Sequence, residues 1–288
     1  MVKELELHQC DPLDARQFVI AVKRLADALS YGTDRSPFRG SGLEYIQSRR
    51  YEPGDPIKAI DWRVTARTGK YFVKEYETPK RMPAYFLIDT SASMTISSQP
   101  LSKYAWAVQI AGGLAFACLD RVSPVGIVGA GERDFRVEPS LGRDRILQWL
   151  HELRFHNTAE GTSLGRRVSE LGANLPNTAL IFLLTDFHDP TAMPAVRLAA
   201  QRHEVVALQL RDPAESGIKG GGIFHAREAE SGEAFVATGR RHWIDPEGVA
   251  AECKKGGVDH LLLQTDRPIA APLREFLRAR GVLGRGAR

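Results

Sequence analysis

The segment Thr178–Asp186, with the sequence TALIFLLTD, decides the fold class. Its central residues are all apolar and do not alternate with polar ones, which is typical of a strand whose two faces are both buried. Such strands occur mainly at the centre of parallel sheets that helices cover on both sides. Ala84–Asp89, AYFLID, is likewise an apolar run that ends in an aspartate, and it predicts a second buried strand.

Strand and helix patterns alternate along the chain around these two segments. The helix candidates repeat apolar residues every three or four positions, as Leu164, Val168 and Leu171 do. This alternation predicts an α/β fold with a doubly wound, mostly parallel sheet. Further strands are predicted at 125–130, 134–140, 204–210 and 259–265, and helices at 102–121, 143–154, 163–175, 195–202 and 270–280.

The N-terminal third has a different pattern of apolar and polar residues. Residues 12–29 carry apolar side chains at helical spacing and predict an amphipathic helix. Residues 43–76 contain short runs of aromatic and β-branched residues, broken by Pro-Gly-Asp and Thr-Gly-Lys turns. These are strand and turn signals, so they predict a small β lobe, in which Tyr51 and Trp62 are expected to pack.

A later hairpin interrupts the α/β pattern and is a second candidate part of the β lobe. It is predicted near 213–240 and turns at Ser231-Gly232. We therefore divide the chain into 1–82, an N-terminal helix and β lobe, and 83–288, an α/β domain with this hairpin inserted.

The composition is that of a soluble globular protein, with 43% hydrophobic and 26% charged residues in a chain of 288. The net charge of +4, spread along the chain, argues against a nucleic-acid partner. Cys10, Cys118 and Cys253 lie far apart, which favours free thiols in a reducing compartment. The most apolar helix candidate, 104–119, is too short to cross a bilayer comfortably. We expect a cytoplasmic protein without a transmembrane segment.

Two segments look like enzyme motifs but lack the structural context that those motifs need. GTSLG, Gly161–Gly165, matches the G-x-S-x-G nucleophile elbow, yet a polar stretch rather than a strand precedes it. VGIVGAGERD, 125–134, looks like a dinucleotide-binding loop, but a second strand follows instead of a helix. The chain has no G-x-x-x-x-G-K-[ST] segment, so it is not itself a P-loop ATPase.

Oxygen-bearing side chains follow both buried strands. Asp89, Ser91 and Ser93 come directly after the first strand, and Asp186 ends the second. Thr162 lies in the loop before the helix predicted from residue 163. Ligands collect at the carboxyl ends of strands in an open α/β sheet, and carboxylate and hydroxyl oxygens suit Mg²⁺. These three loops therefore predict a site for a hard divalent cation.

The order of these residues resembles the metal-ion-dependent adhesion site of von Willebrand factor A domains, which is D-x-S-x-S, then a Thr, then an Asp. The resemblance covers about residue 83 to the C-terminus and implies a von Willebrand factor A-like fold. It implies that Mg²⁺, or Mn²⁺ or Ca²⁺, binds there, with one position left for a carboxylate of a protein partner. The implied ligands are Asp89, Ser91, Ser93, Thr162 and Asp186.

A second resemblance lies in the N-terminal lobe, in RRYEPGDPIKAIDWRVTART, 49–68. This segment is similar to the signature of the domain of unknown function fifty-eight family, whose members commonly accompany MoxR-type AAA+ ATPases. The resemblance therefore implies such an ATPase as a partner. The charged residues of the signature form either a salt-bridged structural set or a docking surface. The matching residues are Arg49, Tyr51, Gly54, Asp55, Ile60, Trp62, Ala66 and Arg67.

These observations favour a binding module over an enzyme. We expect a metal-dependent adaptor that works with a MoxR-type AAA+ ATPase in the assembly or maturation of a client protein complex. A catalytic Mg²⁺ site normally uses several carboxylates and a base, whereas this ligand set is rich in neutral hydroxyls. A hydrolase that uses Ser163 or a metal-activated water is the alternative. A purely structural scaffold is a third hypothesis.

Overall fold

A computed structural model describes residues 8–9, 15–30, 44–53, 55, 60–77, 82–120, 123–216, 223–227, 234–238 and 245–282. Over these residues the chain forms twelve strands and eight α-helices. The strands are β1 (His8–Gln9), β2 (Glu44–Arg50), β3 (Phe72–Glu77), β4 (Ala84–Ile88), β5 (Ile96–Ser97), β6 (Val125–Gly129), β7 (Arg136–Ser140), β8 (Leu180–Thr185), β9 (Glu204–Arg211), β10 (Ile223–Arg227), β11 (Ala234–Thr238) and β12 (Asp259–Gln264). The helices are α1 (Ala15–Ser30), α2 (Trp62–Thr68), α3 (Lys103–Leu119), α4 (Arg143–Arg154), α5 (Leu164–Asn174), α6 (Ala192–Ala199), α7 (Pro246–Lys255) and α8 (Ala270–Val282).

The centre of the fold is a six-stranded sheet in the order β12-β9-β8-β4-β6-β7. Neighbouring strands run parallel, except that β7 pairs antiparallel with β6 at one edge. β8 lies between β9 and β4, and each of its residues is buried. The predicted α/β fold with a mostly parallel sheet is confirmed, and TALIFLLTD lies in the sheet interior as expected.

Helices cover both faces of this sheet, as in a doubly wound fold. Phe86 and Ile88 of β4 face a core layer to which α1, α3, α4 and α8 contribute. Tyr85 and Leu87 face the opposite layer, to which α5, α6 and α7 contribute. Phe86 stacks on Phe182 of β8, with ring centroids 5.0 Å apart. The central strands are apolar throughout because both of their faces are covered.

The helix predicted at 102–121 is confirmed as α3, in which 14 of 17 residues are buried. Two of its glycines give α1 room to approach. A Cβ atom on Gly112 would lie 2.9 Å from a methyl group of Val22, and one on Gly113 would lie 2.9 Å from Leu25. α1 therefore packs into the core of the α/β unit, while the domain boundary at residue 82 stays a prediction.

The length and hydropathy of the helices bear on membrane insertion. Within the part of the chain that the structure describes, no helix is both long and apolar enough to cross a bilayer.

The N-terminal lobe departs from the prediction in one respect. β2 and β3 pair antiparallel as expected, but a helix, α2, lies between them where strands were predicted. The side chain of Asp61 accepts two backbone N–H groups and caps this helix, and Gly69 ends it at φ 68°. The expectation that Trp62 packs in the lobe is wrong, because its side chain is 62% exposed on the first turn of α2. Tyr51 is half-buried and meets the ring of Tyr71 edge-on.

The charged residues of the signature divide into two groups. Arg49 binds both carboxylate oxygens of Asp55, at 2.7 and 2.8 Å. Asp61 is buried as the cap of α2, so these three residues have structural roles. Arg63 and Arg67 are exposed on α2, and for them a docking role stays a hypothesis.

The hairpin predicted near 213–240 and the strand pair predicted at 125–140 are both present. β10 and β11 pair antiparallel within 213–240, and the turn at 231–232 lies outside the described residues. β6 and β7 also pair antiparallel, so VGIVGAGERD forms a hairpin turn instead of a phosphate-binding loop. α7 was not predicted, because Cys253 is its single buried residue and its apolar pattern is correspondingly weak.

Candidate metal centre

Four of the predicted ligands meet at the carboxyl ends of β4 and β8. The Oγ atom of Ser93 lies 3.1 Å from Oγ of Ser91 and 3.1 Å from Oδ2 of Asp186. Asp89 accepts the backbone N–H of Ser91 at 3.1 Å and the hydroxyl of Thr185 at 2.7 Å. The parallel pairing of β4 with β8 places the two aspartates at the same edge of the sheet.

The backbone of both loops is bent sharply at these residues. Ser91 occupies the N-cap position of a single 3-10 turn, Ala92–Thr95, which brings Ser93 back toward the strand ends. Directly after Asp186, Phe187 adopts a φ of 63°. Such a backbone conformation costs a bulky residue about 1–2 kcal/mol. Strain of this kind is concentrated at functional sites, and here it lies next to a predicted ligand.

Thr162 reaches the same edge from a third loop. Its backbone forms an isolated bridge with Gly131, in the turn after β6. The N–H of Ala92 donates to the carbonyl of Glu160 at 3.0 Å, so this loop is bonded to the turn that carries the two serines. The hydroxyl oxygen of Thr162 is shielded from solvent. The three predicted loops are therefore neighbours.

A buried carboxylate, Glu160, holds the loops together. It accepts the hydroxyl of Thr90 at 2.7 Å and the backbone N–H of Arg133 at 2.7 Å, and it lies 2.9 Å from Nε2 of His156. Burial alone would raise the pKa of Glu160, but these hydrogen bonds hold it below its ordinary value. A Cβ atom on Gly131 would lie 2.2 Å from Oε1 of Glu160, so the close approach requires glycine.

We expect Glu160→Gln to lower the free energy of unfolding by roughly 2 kcal/mol, because an amide N–H₂ would then face a hydrogen-bond donor. Urea denaturation measures this effect. The control is Glu138→Gln, whose side chain is 68% exposed, and it should change stability by less than about 0.5 kcal/mol. Equal stabilities of the two variants would contradict the role given to Glu160.

A lysine outside the predicted ligand set lies beside the site. Nζ of Lys103 is 2.7 Å from Oδ2 of Asp186 and also contacts Glu215, and the side chain is 2% exposed. Although burial opposes its charge, the two carboxylates raise the pKa of Lys103. Burial likewise opposes the charge of Asp186, but Lys103 lowers the pKa of that carboxyl. His188 adds an imidazole, with Nε2 3.9 Å from the same Oδ2 atom.

Two sequence signals point to these additional residues. Glu215 follows the carboxyl end of β9, so the rule that located Asp186 after β8 applies to it as well. Lys103 is the first residue of α3, where the helix dipole disfavours a positive charge, so its position there needs a partner.

Asp89 has a different environment from Asp186. Its carboxylate accepts hydrogen bonds from Ser91 and Thr185, and within the described residues it pairs with no cation. Burial and the nearby charge of Asp186 raise the pKa of Asp89 to about 7.

This raised pKa predicts a specific pH dependence. The folded protein holds the Asp89 proton up to about pH 7, whereas the unfolded chain releases it near 3.8. Without metal, the wild type should therefore lose stability relative to Asp89→Asn as the pH rises from 4 to 7, by up to roughly 4 kcal/mol. Denaturation of both proteins in chelator at several pH values checks this. A stability difference that is independent of pH would contradict it.

The oxygens fit a small divalent cation. Adjacent ligands of an octahedral Mg²⁺ lie about 3.0 Å apart, given metal–oxygen distances of about 2.1 Å. The Ser91–Ser93 and Ser93–Asp186 separations, each 3.1 Å, match such an edge. When ionised, the carboxylates of Asp89, Asp186 and Glu215 exceed the single ammonium of Lys103 by two charges, which one divalent cation would balance.

The fold and this site define an α/β protein with a cluster of metal-type ligands at the carboxyl edge of a parallel sheet. Residues 47–244 match the family described as "Protein of unknown function DUF58", and the chain belongs to that family. The family resemblance in the N-terminal signature is thereby confirmed.

The chain is also similar to individual proteins, at lower than 30% sequence identity. Uncharacterized proteins of Mycobacterium bovis and Mycobacterium tuberculosis are 26% identical over 287 residues, which covers 93% of this chain and 90% of each relative. A crystal structure of an uncharacterized membrane-spanning protein from Vibrio fischeri is 15% identical and covers 69% of this chain and 97% of that one. Its TM-score of 0.22 is too low to support a structural comparison.

Proposed function

We propose that this protein is a metal-dependent protein-binding module. Mg²⁺, or Mn²⁺ or Ca²⁺ in its place, is held at the carboxyl edge of the sheet, and one position accepts a carboxylate of a partner. One observation carries the proposal. The side-chain oxygen of Ser93 lies 3.1 Å from the hydroxyl oxygen of Ser91 and 3.1 Å from a carboxylate oxygen of Asp186, and all three are atoms that can bind Mg²⁺. The resemblance to the von Willebrand factor A adhesion site supplies the remaining members, Asp89 and Thr162.

The chemistry of the residues supports capture of an anion. A bound divalent cation would supply a concentrated positive charge at the surface of the site. Ser91 and Ser93 bind it through neutral oxygens, and Lys103 offsets part of the negative charge of Asp186. The cation therefore keeps affinity for a further anionic ligand, and the carboxylate of a protein side chain fits that role.

The proposed partner is a MoxR-type AAA+ ATPase, and the proposed outcome is assembly or maturation of a client complex. Membership in the family and the signature resemblance support this partner. The exposed Trp62, Arg63 and Arg67 on α2 offer a surface for it.

Capture experiments test the proposal. The immobilised protein is mixed with a purified MoxR-type ATPase from the same source, in Mg²⁺ and then in chelator. We expect capture with Mg²⁺ only, and loss of capture for Asp89→Ala. Asp134→Ala, at a side chain that is 81% exposed, is the matched control and should capture normally. Capture by Asp89→Ala at the wild-type level would overturn the proposal.

The hydrolase alternative has one observation in its favour. Glu215 and His188 bring a further carboxylate and a base to the centre, as a metal-activated water would need. Ser163 is the less favoured nucleophile, because within the described residues no histidine or carboxylate is hydrogen-bonded to its hydroxyl. Assay of p-nitrophenyl phosphate and acetate with Mg²⁺ separates the two functions: turnover that His188→Ala or Ser163→Ala removes would support hydrolysis.

A further inference from the structure

The position of Lys103 is unfavourable in two ways unless it has partners. It is the first residue of α3, where the helix dipole repels a cation, and its side chain is 2% exposed. The carboxylates of Asp186 and Glu215, both in contact with Nζ, offset these costs. The two acids come from different loops, after β8 and after β9, so the ammonium lies where the loops meet.

The groups around this ammonium are ligands of the kind that transition metals prefer. One ligand atom each from Asp186, His188 and Glu215 lies within 4.8 Å of the other two. Nε2 of His188 is shielded from solvent and forms no hydrogen bond to the described residues. Two carboxylates and one imidazole suit Zn²⁺ and related ions, whereas Mg²⁺ prefers oxygen ligands alone.

We propose that Lys103 determines the metal specificity of the centre: its ammonium fills the Asp186–His188–Glu215 cluster and so prevents a transition metal from binding there. This inference rests on the proposed function, since it concerns the same metal centre. The ammonium acts as a fixed internal cation beside the site at Asp89, Ser91 and Ser93.

The charge balance supports this role. With Lys103 present, the carboxylates of Asp89, Asp186 and Glu215 leave two uncompensated negative charges when all three are ionised, enough for one divalent cation. Without it, a third negative charge is uncompensated beside the imidazole of His188. A second divalent ion is then the simplest way to neutralise the cluster, because uncompensated buried charge is strongly unfavourable.

Zn²⁺ titration of the full chain tests the inference. Lys103→Met removes the ammonium and keeps most of the side-chain volume. We expect this variant to bind one more equivalent of Zn²⁺ than the wild type. A further His188→Ala substitution should weaken that binding at least ~10-fold, since even outer-shell substitutions cost 10–100-fold. Lys255→Met is the matched control, a lysine paired with Glu252 on the surface, and it should gain no Zn²⁺ site.

The outcomes separate this inference from the proposed function. If Lys103→Met gains no Zn²⁺, or if the gain survives His188→Ala, the inference is overturned whatever Mg²⁺ does. If the wild type binds no Mg²⁺ but Lys103→Met gains a His188-dependent Zn²⁺ site, the proposed function fails and the role of Lys103 stands.

A measurement on the wild type decides the question if Lys103→Met does not fold. Imidazole NMR signals of His188, assigned with His188→Gln, are followed as Zn²⁺ is added in stoichiometric steps. Unchanged signals are expected, because the ammonium already fills the cluster. A shift of these signals at one equivalent would overturn the inference.

Discussion

Phe182→Ala is expected to lower the free energy of unfolding by about 3–5 kcal/mol, the usual cost of emptying a buried aromatic position. The side chain is fully buried in β8, and its ring stacks on Phe86 of β4 with the planes 6° apart. The substitution therefore leaves a cavity between the two strands that end in the candidate ligands. Chemical denaturation without added metal measures the effect.

The matched control for this prediction is Phe155→Ala. Phe155 follows α4 and is 68% exposed, so its truncation should change stability by less than about 0.5 kcal/mol. A loss below about 1 kcal/mol for Phe182→Ala would mean that β4 and β8 are not packed as described.

Asp186→Asn and Asp89→Asn are expected to change stability in opposite directions, although both residues belong to one predicted ligand set. Asp186 pairs with Lys103, so its neutralisation breaks a buried ion pair and should cost about 3–5 kcal/mol. Burial and the charge of Asp186 disfavour the ionised form of Asp89. Replacing this carboxylate with a neutral amide should therefore stabilise the protein at pH 8. Denaturation of both variants at pH 8 in chelator gives the comparison.

Both variants should nevertheless lose metal binding, because each removes one carboxylate charge from the centre. Destabilisation of similar size in both would contradict the different environments described for the two carboxylates.

Much of the fold follows from local patterns in the sequence. The apolar runs at Ala84–Asp89 and Thr178–Asp186 predict central strands, because a strand that is buried on both faces has no polar positions. The parallel sheet in turn brings Asp89 and Asp186 to one edge. α2 was missed because β-branched and aromatic residues dominate it, while the cap at Asp61 decides its conformation.

The part of the site that was missed depends on tertiary contacts. The sequence does not show that Lys103 is buried, because that burial depends on acids contributed by two distant loops. Glu215 lies between β9 and the β10–β11 hairpin, and no signal in the neighbouring sequence indicates that its side chain contacts Lys103. The strained φ at Phe187 likewise results from the packing of its loop.

Calorimetric titration of Mg²⁺ at pH 8 tests the central claim most directly. The wild type should bind one equivalent. Asp89→Asn, which keeps the shape of the side chain and removes its charge, should weaken binding at least ~100-fold, since even outer-shell substitutions cost 10–100-fold. Asp134→Ala should bind as the wild type does. No Mg²⁺ binding by the wild type, or equal binding by Asp89→Asn, would contradict the proposed metal centre.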